Sequence, residues 1–221
     1  MKLFLNALIK FSVGLLLVGL LIFLPAGTLA YPGGVLLVGL LFIPMLVMGV
    51  VLLTCARDLL AKRLDVKEKQ GAQKGVVGLS GVIFLVGFVL AGLDFRFGWS
   101  HVPLPVVIVA AVLFLIGYVL YAEVMRENAY LSRTVKVEEG QTVVSTGLYG
   151  VVRHPMYMAS VIMFLAIPLI LGSWYALIPF GFYPVLMVIR IHDEERLLTA
   201  ELDGYATYQK KVKYRLIPFI W

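Results

Sequence analysis

The sequence predicts an all-α integral membrane protein with about six transmembrane helices and a cytosolic, amphipathic helical tail at its C-terminal end. Of its 221 residues, 61% are hydrophobic and only 14% are charged, which is the composition of a membrane protein rather than of a soluble domain. Six apolar runs occupy residues 8–24, 34–55, 76–93, 104–122, 156–172 and 174–191. Each run approaches the ~20 residues that a helix needs to cross ~30 Å of hydrocarbon.

The distribution of positive charge predicts the orientation. If the N-terminus, the 56–75 loop, the 123–155 segment and the C-terminal tail share one side, that side holds all of the 19 Lys and Arg residues except Arg96. Positive loops face the cytosol, so both chain ends are expected there. The formal charge of +6 therefore reflects membrane topology. We expect membrane lipids as partners and no nucleic acid.

The N-terminal region, residues 1–122, is predicted to be a bundle of four transmembrane helices with little chemistry of its own. Its Gly75, Gly78 and Gly81 are expected to allow close helix approach. Their spacing does not make a dinucleotide-binding fingerprint, because no strand precedes them. The first apolar run mimics a signal peptide, but its length favours a retained membrane anchor. The single cysteine, Cys55, excludes a disulfide framework and a multi-cysteine metal site, and no metal is expected.

The second region, residues 123–221, concentrates ionisable and aromatic residues. Residues 153–157, Arg-His-Pro-Met-Tyr, begin the fifth apolar run, and residues 190–196 end the sixth. A tight turn at Gly172 predicts that the two runs form a helical hairpin, residues 156–191, so both groups meet at one membrane face. Charge at the edge of a bilayer is costly unless it is paired or used, and this clustering predicts a functional site.

The spacing of these residues indicates what they do. Arg190 and Glu194 are four residues apart, share one helix face and can pair, while Glu195 lies on an adjacent face. His154 and Tyr157 occupy the first turn of the neighbouring helix. Taken singly, the arginines could reach towards lipid phosphates and the tyrosines could belong to an interfacial belt. Taken together, they favour a pocket for a charged cofactor beside an apolar bundle.

These motifs resemble a known family. Together with Gly147-Leu148-Tyr149, Tyr205-x-x-Tyr208 and the Ile-Pro-Phe-Ile of residues 217–220, they resemble the isoprenylcysteine carboxyl methyltransferases and their bacterial and archaeal relatives. The phospholipid methyltransferases share a similar pattern. The resemblance covers roughly residues 123–221 and implies S-adenosyl-L-methionine as the cofactor. It also implies a lipophilic or prenylated substrate, and a bacterial or archaeal cytoplasmic membrane with the active site at its cytosolic face.

The resemblance also implies roles for particular residues. The cofactor-binding residues that it implies are Gln141, Thr142, Val143, Val144, Tyr149, His154, Pro155, Met156, Tyr157 and Glu194. Arg190 falls on the arginine that engages the acceptor carboxylate, and Glu195 is the second predicted catalytic residue. Residues 203–205 are one residue shorter than the usual Gly-x-x-Tyr, which leaves Asp193, Glu194 and Glu195 open as the acidic ligand. The helical pairing with Arg190 favours Glu194.

Several functions remain open on the sequence alone. An isoprenylcysteine-like carboxylate is the first expected acceptor, followed by a phospholipid amine or a small thiol. An amine or thiol would need a base, for which His154 or Glu195 is the candidate. The tail from Tyr205 to Pro218 also resembles the end of membrane sterol reductases, which use NADPH, although two adjacent glutamates are poor neighbours for a phosphorylated dinucleotide. A non-enzymatic transporter or assembly protein is the last alternative, but a transporter would place its ionisable residues near the bilayer midplane.

Overall fold

A computed structural model describes residues 2–64, 71–131, 137 and 140–221. Within these residues the chain is helical and contains no strand. The helices are α1 Lys2–Ala26, α2 Pro32–Cys55, α3 Arg57–Leu64, α4 Gly71–Phe97, α5 Leu104–Glu127, α6 Pro155–Ile170, α7 Trp174–Gly181, α8 Tyr183–Glu201 and α9 Tyr205–Lys211. Residues 65–70 of the predicted 56–75 loop lie outside the described residues.

The predicted membrane architecture is confirmed. Four helices (α1, α2, α4 and α5) and the α7–α8 pair are long and apolar enough to cross a membrane. The remaining apolar run forms α6, which is shorter at 16 residues. Large apolar side chains such as Leu16 on α1 and Val119 on α5 are exposed, as expected for helices that face lipid. The chain is therefore an all-α integral membrane protein.

The predicted hairpin is present, but its second arm is broken. Gly172 adopts a left-handed conformation with φ +79°, and Ser173 begins α7 by accepting a hydrogen bond from the Ala176 amide at 3.1 Å. The sixth apolar run then divides at Phe182 into α7 and α8. Pro184 falls in the first turn of α8, where its missing N–H leaves no helical bond unmade.

Close helix contacts occur at glycines other than the predicted ones. A Cβ atom at Gly117 of α5 would lie 2.4 Å from Met163 of α6, and one at Gly87 of α4 would lie 2.4 Å from the Phe180 ring of α7. By contrast, nothing lies within 4 Å of a Cβ built at Gly75, Gly78 or Gly81. The predicted close approach at these three glycines is therefore wrong, because α4 meets its neighbours further along its length.

One end of the bundle is tied together by a buried cluster around Asp94, which we call the Asp94 cluster. The Asp94 carboxylate accepts hydrogen bonds from the Ser100 amide at 2.7 Å, from the Ser100 hydroxyl at 2.6 Å and from the Ser173 hydroxyl. Beside it, the Tyr31 hydroxyl donates to the Leu171 carbonyl. These bonds join the C-terminal end of α4 to the α4–α5 loop and to the α6–α7 turn.

The opposite end of the bundle gathers the ends of α5 and α8, the start of α6, and α9. The predicted helical tail is present as α9, and residues 212–221 follow it as a compact folded segment. This segment returns to the start of α6, where the amides of Arg153 and His154 donate to the carbonyls of Tyr214 and Arg215, each at 2.9 Å.

Candidate functional site

A cleft at this second end brings the predicted site residues together. Every predicted cofactor-binding residue, and Arg190, line the same cleft. Glu195 is the exception and does not line it. The sequence predicted that residues 153–157 and 190–196 meet at one end of the hairpin, and residues of both groups line this cleft.

The turn before α6 is fixed by a glycine and a buried tyrosine. Gly147 begins the 3-10 turn Gly147–Gly150 at φ +50°, a conformation that favours glycine. A Cβ atom there would also lie 1.9 Å from the present position of the Glu127 carboxylate. The Tyr149 hydroxyl accepts a hydrogen bond from the Asn128 amide group at 2.8 Å, and Tyr208 donates to the Tyr149 carbonyl at 2.7 Å. The turn is thereby held between α5 and α9.

Tyr149 is a neutral group at ordinary pH. Burial, with a smaller contribution from the nearby Glu194 carboxylate, raises the pKa of Tyr149 to about 12 against the opposing effect of the Asn128 hydrogen bond. Its ring and hydroxyl can therefore act as an aromatic face and a hydrogen-bonding group, but not as a negative charge.

Arg190 and Glu194 are linked through the Tyr157 hydroxyl. Arg190 Nε donates to the Tyr157 oxygen at 2.8 Å, and the Tyr157 hydroxyl donates to Glu194 Oε2. The Arg190 guanidinium also lies 5.6 Å from the centre of the Tyr157 ring, within cation–π range. The side chains that the sequence placed on one helix face thus meet across a tyrosine contributed by α6, which holds both in a fixed orientation.

Glu195 lies at the centre of a buried ionic cluster behind the cleft, which we call the Glu195 cluster. Its carboxylate accepts from Arg153 Nε at 2.6 Å and from Arg215 Nε at 2.8 Å, and it lies 3.3 Å from His154 Nε2. Arg153 also donates to the carbonyls of Val212 and Lys213 at 2.7 and 3.0 Å. The Glu195 side chain is 6% exposed.

This placement argues against the predicted catalytic role of Glu195. Two guanidinium groups favour the charged form of the carboxylate, which makes it a poor proton acceptor. The same carboxylate orients Arg153 and His154, both of which line the cleft. Glu195 is thus placed to orient Arg153 and His154, and Glu194 is the glutamate that lines the cleft.

The cleft is also lined by residues that were not predicted as cofactor-binding or catalytic residues, although Arg153, Tyr205 and Tyr208 belong to the motifs noted in the sequence. These additional residues are Asn128, Tyr130, Leu131, Arg153, Leu198, Leu202, Tyr205 and Tyr208. Leu198 and Leu202 follow Glu194 by four and eight residues, so helical periodicity could have placed them on the same face. Asn128, Tyr130 and Leu131 follow the end of α5, and no local pattern in the sequence marks them.

One polar group of the cleft has no hydrogen-bond partner among the described residues. The Tyr205 hydroxyl is buried and makes no hydrogen bond within the part of the chain that the structure describes. Burial also raises the pKa of Tyr205 well above its ordinary value, with Glu195 and Glu194 adding to the effect. Because buried polar groups are nearly always hydrogen-bonded, a neutral hydroxyl left unpaired in a cleft indicates a place for a ligand atom.

The fold and the cleft define a polytopic helical membrane protein with a polar and aromatic pocket at one end. A family model described as phospholipid methyltransferase matches residues 105–204. This match runs from the start of α5 to just beyond α8 and covers most of the cleft. It supports a relationship to the methyltransferase superfamily that the sequence resembles, while the narrower isoprenylcysteine family is a proposal.

Two curated relatives have another activity in their names. A Delta(14)-sterol reductase of Mus musculus is 26% identical over 133 residues, which cover 53% of this chain and 32% of the relative. A Delta(14)-sterol reductase of Arabidopsis thaliana is 24% identical over 134 residues, covering 55% of this chain and 36% of the relative. The matched part thus spans about a third of the length of these relatives.

Proposed function

We propose that this chain is a membrane-embedded methyltransferase that uses S-adenosyl-L-methionine and acts on a lipophilic acceptor. The observation that carries the proposal is the cleft beside the apolar bundle, in which Glu194, Tyr149, Tyr157 and the unpaired Tyr205 hydroxyl meet. The phospholipid methyltransferase match over this region supports it. No soluble domain is needed to admit a substrate that arrives from the lipid.

The residues of the cleft fit the chemical groups of this cofactor. The Glu194 carboxylate, oriented by Tyr157, can accept from an ammonium or from ribose hydroxyls. The Tyr205 hydroxyl offers a donor and an acceptor. The aromatic faces of Tyr149 and Tyr157 can hold a cationic sulfur at ~0.5–2 kcal/mol, depending on desolvation. When bound, the cofactor would supply a methyl group activated by a positively charged sulfur.

The proposed acceptor group is an isoprenylcysteine-like carboxylate. Arg190 lines the cleft one helical turn before Glu194, on the side nearer the bundle, and a guanidinium binds a carboxylate through two parallel hydrogen bonds. A carboxylate is already a nucleophile, so Arg190 needs only to align it. An amine or thiol acceptor would require a base, and His154 is the remaining candidate in the cleft because Glu195 is held by two arginines.

A reductase that uses NADPH is the second candidate, favoured by the match to two Delta(14)-sterol reductases. A phosphorylated dinucleotide would need cationic side chains in the cleft. Two described arginines line the cleft. Arg153 is bound to Glu195 and to two backbone carbonyls, and Arg190 donates to the Tyr157 hydroxyl, which in turn donates to Glu194. Together with the negative charge of Glu194, this arrangement favours the methyltransferase.

The proposed orientation places the cleft at the cytosolic face, on the basis of the Lys and Arg distribution. Two exposed positions at opposite ends of the bundle, Leu29 and Lys210, test it by cysteine labelling in a Cys55→Ala background. A membrane-impermeant maleimide added to intact cells should label Leu29→Cys and not Lys210→Cys. The reverse pattern would refute the orientation.

The acceptor is tested by methyl transfer in vesicles. Purified protein is reconstituted and given S-adenosyl-L-methionine with a radioactive methyl group, together with a prenylcysteine carboxylate, a phospholipid amine or a lipophilic thiol. We expect methylation of the carboxylate. Transfer only to the amine or thiol would overturn the carboxylate proposal and leave the methyltransferase in place, and transfer to none of these acceptors would count against both.

Arg190→Lys sharpens this test. It should leave binding of S-adenosylhomocysteine nearly intact and reduce turnover about a hundredfold, because misalignment of a displacement can cost that much. Arg196→Lys is the matched control, since the Arg196 side chain is 83% exposed on the same helix. If Arg190→Lys abolishes cofactor binding and spares the turnover of bound complex, Arg190 is a structural partner of Glu194 and the carboxylate proposal loses its support.

A further inference from the structure

A second surface at the same end of the bundle is the 214–221 loop. It is closed by its own backbone, because the amides of Leu216 and Ile217 donate to the Trp221 carbonyl at 2.8 and 3.0 Å, and the Trp221 amide donates back to Ile217 at 3.1 Å. Leu216 is buried beneath it. The loop therefore has a folded structure held by its own backbone hydrogen bonds.

The outer tip of this loop is apolar and exposed. Phe219 is 85% exposed and Ile220 is 77% exposed. Phe219 also has φ +66°, and within the described residues it is the one non-glycine residue with positive φ. This conformation is unfavourable for a bulky side chain. The Phe219 ring contacts the Tyr214 ring at 5.4 Å between ring centres, but most of its surface stays exposed.

The position of the loop relative to the membrane follows from its contact with α8. The Trp221 ring packs against His192 at 5.7 Å between ring centres. On α8, exposed Val185 and Ile189 form the lipid-facing stripe, and His192 follows Ile189 by three residues on the same side. The loop therefore lies beside the end of the exposed apolar stripe of α8, a placement that fits the depth of the headgroups and the first acyl carbons, where tryptophan is enriched.

The charges beside the tip match a lipid surface. Lys210, Lys211 and Lys213 are exposed in the segment that leads to the loop, and the Arg215 guanidinium lies 5.3 Å from the centre of the Trp221 ring. Apolar and aromatic residues flanked by lysines are typical of segments that lie in a membrane interface, and the lysines are attracted to anionic headgroups.

We propose that the 214–221 loop is a membrane-contact surface that inserts Phe219 and Ile220 among the acyl chains of the leaflet at the cleft end. The inserted loop also contacts residues that line the cleft. The carbonyls of Tyr214 and Arg215 hold the amides of Arg153 and His154, so the loop that enters the lipid is the one that fixes two cleft residues. The proposal does not depend on the reaction that the cleft catalyses.

The depth of the loop is measured by fluorescence quenching. In a Cys55→Ala background, Ile220→Cys carries an environment-sensitive fluorophore, and Ala206→Cys, at an exposed position of α9, is the matched control. The proteins are reconstituted in vesicles of phosphatidylcholine and phosphatidylglycerol, with or without a nitroxide on the upper acyl chain. We expect the nitroxide to quench position 220 at least threefold more than position 206, and aqueous iodide to quench position 206 more strongly.

Two further measurements keep the result decisive. Phe219→Cys, labelled in the same way, should behave as position 220 does, so that one damaged variant cannot decide the outcome. Thermal unfolding of each labelled protein checks that the fold survives. If folded protein shows equal iodide quenching at positions 206, 219 and 220 and no nitroxide quenching at the loop, then the loop lies in water and the proposal is overturned.

Discussion

The two ends of the bundle each contain buried acidic side chains, but their partners differ. In the Asp94 cluster the carboxylate is 1% exposed and accepts from one amide and two hydroxyls of Ser100 and Ser173. All three donors belong to nearby turns, which they fasten to α4. The cluster is closed and complete, and a stabilising role accounts for it.

At the cleft end, two adjacent glutamates have different environments. Glu195 is held in a closed cluster by Arg153 and Arg215, and in this respect it resembles Asp94. Glu194 lines the cleft instead, near a buried Tyr205 hydroxyl that has no partner among the described residues. Two of these carboxylates are thus enclosed by donors from the protein, whereas Glu194 accepts from Tyr157 and lines a cleft in which a nearby hydroxyl is left without a partner among the described residues.

The largest expected effect is on stability, at Glu195. Glu195→Gln removes the negative charge from between two arginines and leaves Arg153 buried without its counter-charge. Loss of one partner of a buried ion pair costs about 3–5 kcal/mol, so thermal unfolding in detergent should move to clearly lower temperature. Unchanged stability combined with lost turnover would restore the catalytic role that the sequence predicted.

The next effect is on affinity, at Glu194. Glu194→Gln should keep the fold and weaken binding of S-adenosylhomocysteine at least tenfold, because a hydrogen bond to a charged group contributes about 1.5–3 kcal/mol. Calorimetric titration measures it, with Glu201→Gln as the control at an exposed position of the same helix. Unchanged affinity in Glu194→Gln would remove Glu194 from the binding site.

The Asp94 cluster should show the opposite pattern. Asp94→Ala leaves the buried Ser173 hydroxyl and the Ser100 donors without their acceptor, at a cost of about 1–3 kcal/mol in the free energy of unfolding. The dissociation constant of the adenosyl ligand, measured in the same titration, should not change. A large loss of affinity would show that the two ends are coupled, and it would contradict the purely structural role given to the Asp94 cluster.

The smallest effect is expected at Tyr205. Tyr205→Phe removes a hydroxyl that has no partner in the described chain, so the thermal stability of the ligand-free protein should stay the same or rise slightly. Ligand affinity should fall by about 0.5–1.5 kcal/mol, the net contribution of an ordinary hydrogen bond. If stability falls and affinity does not, the hydroxyl serves the fold and not the ligand.

The sequence predicted the fold well because long apolar runs leave few alternatives to membrane helices. Four of the six predicted runs lie entirely within helices, the fifth extends two residues beyond α6, and the sixth spans the break between α7 and α8. The turn at Gly172 was identified from its residues. The break at Phe182 and the open surroundings of Gly75 were not predicted, because helix packing depends on where neighbouring helices meet and not on local pattern.

Prediction of the site had a similar limit. Residues 153–157, Arg190 and Glu194 could be placed at one end of a hairpin from spacing alone. Spacing favoured Glu194 as the acidic ligand, but it did not indicate that Glu195 is enclosed by arginines, because one of them, Arg215, lies twenty residues further along the chain. Asn128 enters the cleft through its bond to Tyr149, a tertiary contact that no local pattern marks.

Ligand binding to the detergent-purified protein tests the proposed methyltransferase function most directly. S-adenosyl-L-methionine, S-adenosylhomocysteine and NADPH are each titrated, and both heat and thermal unfolding are recorded. The account predicts that the two adenosyl ligands bind, and that S-adenosylhomocysteine at 100 times its dissociation constant stabilises the protein by about 2.7 kcal/mol. Stabilisation by NADPH, with no response to either adenosyl ligand, would contradict the methyltransferase proposal and favour a reductase.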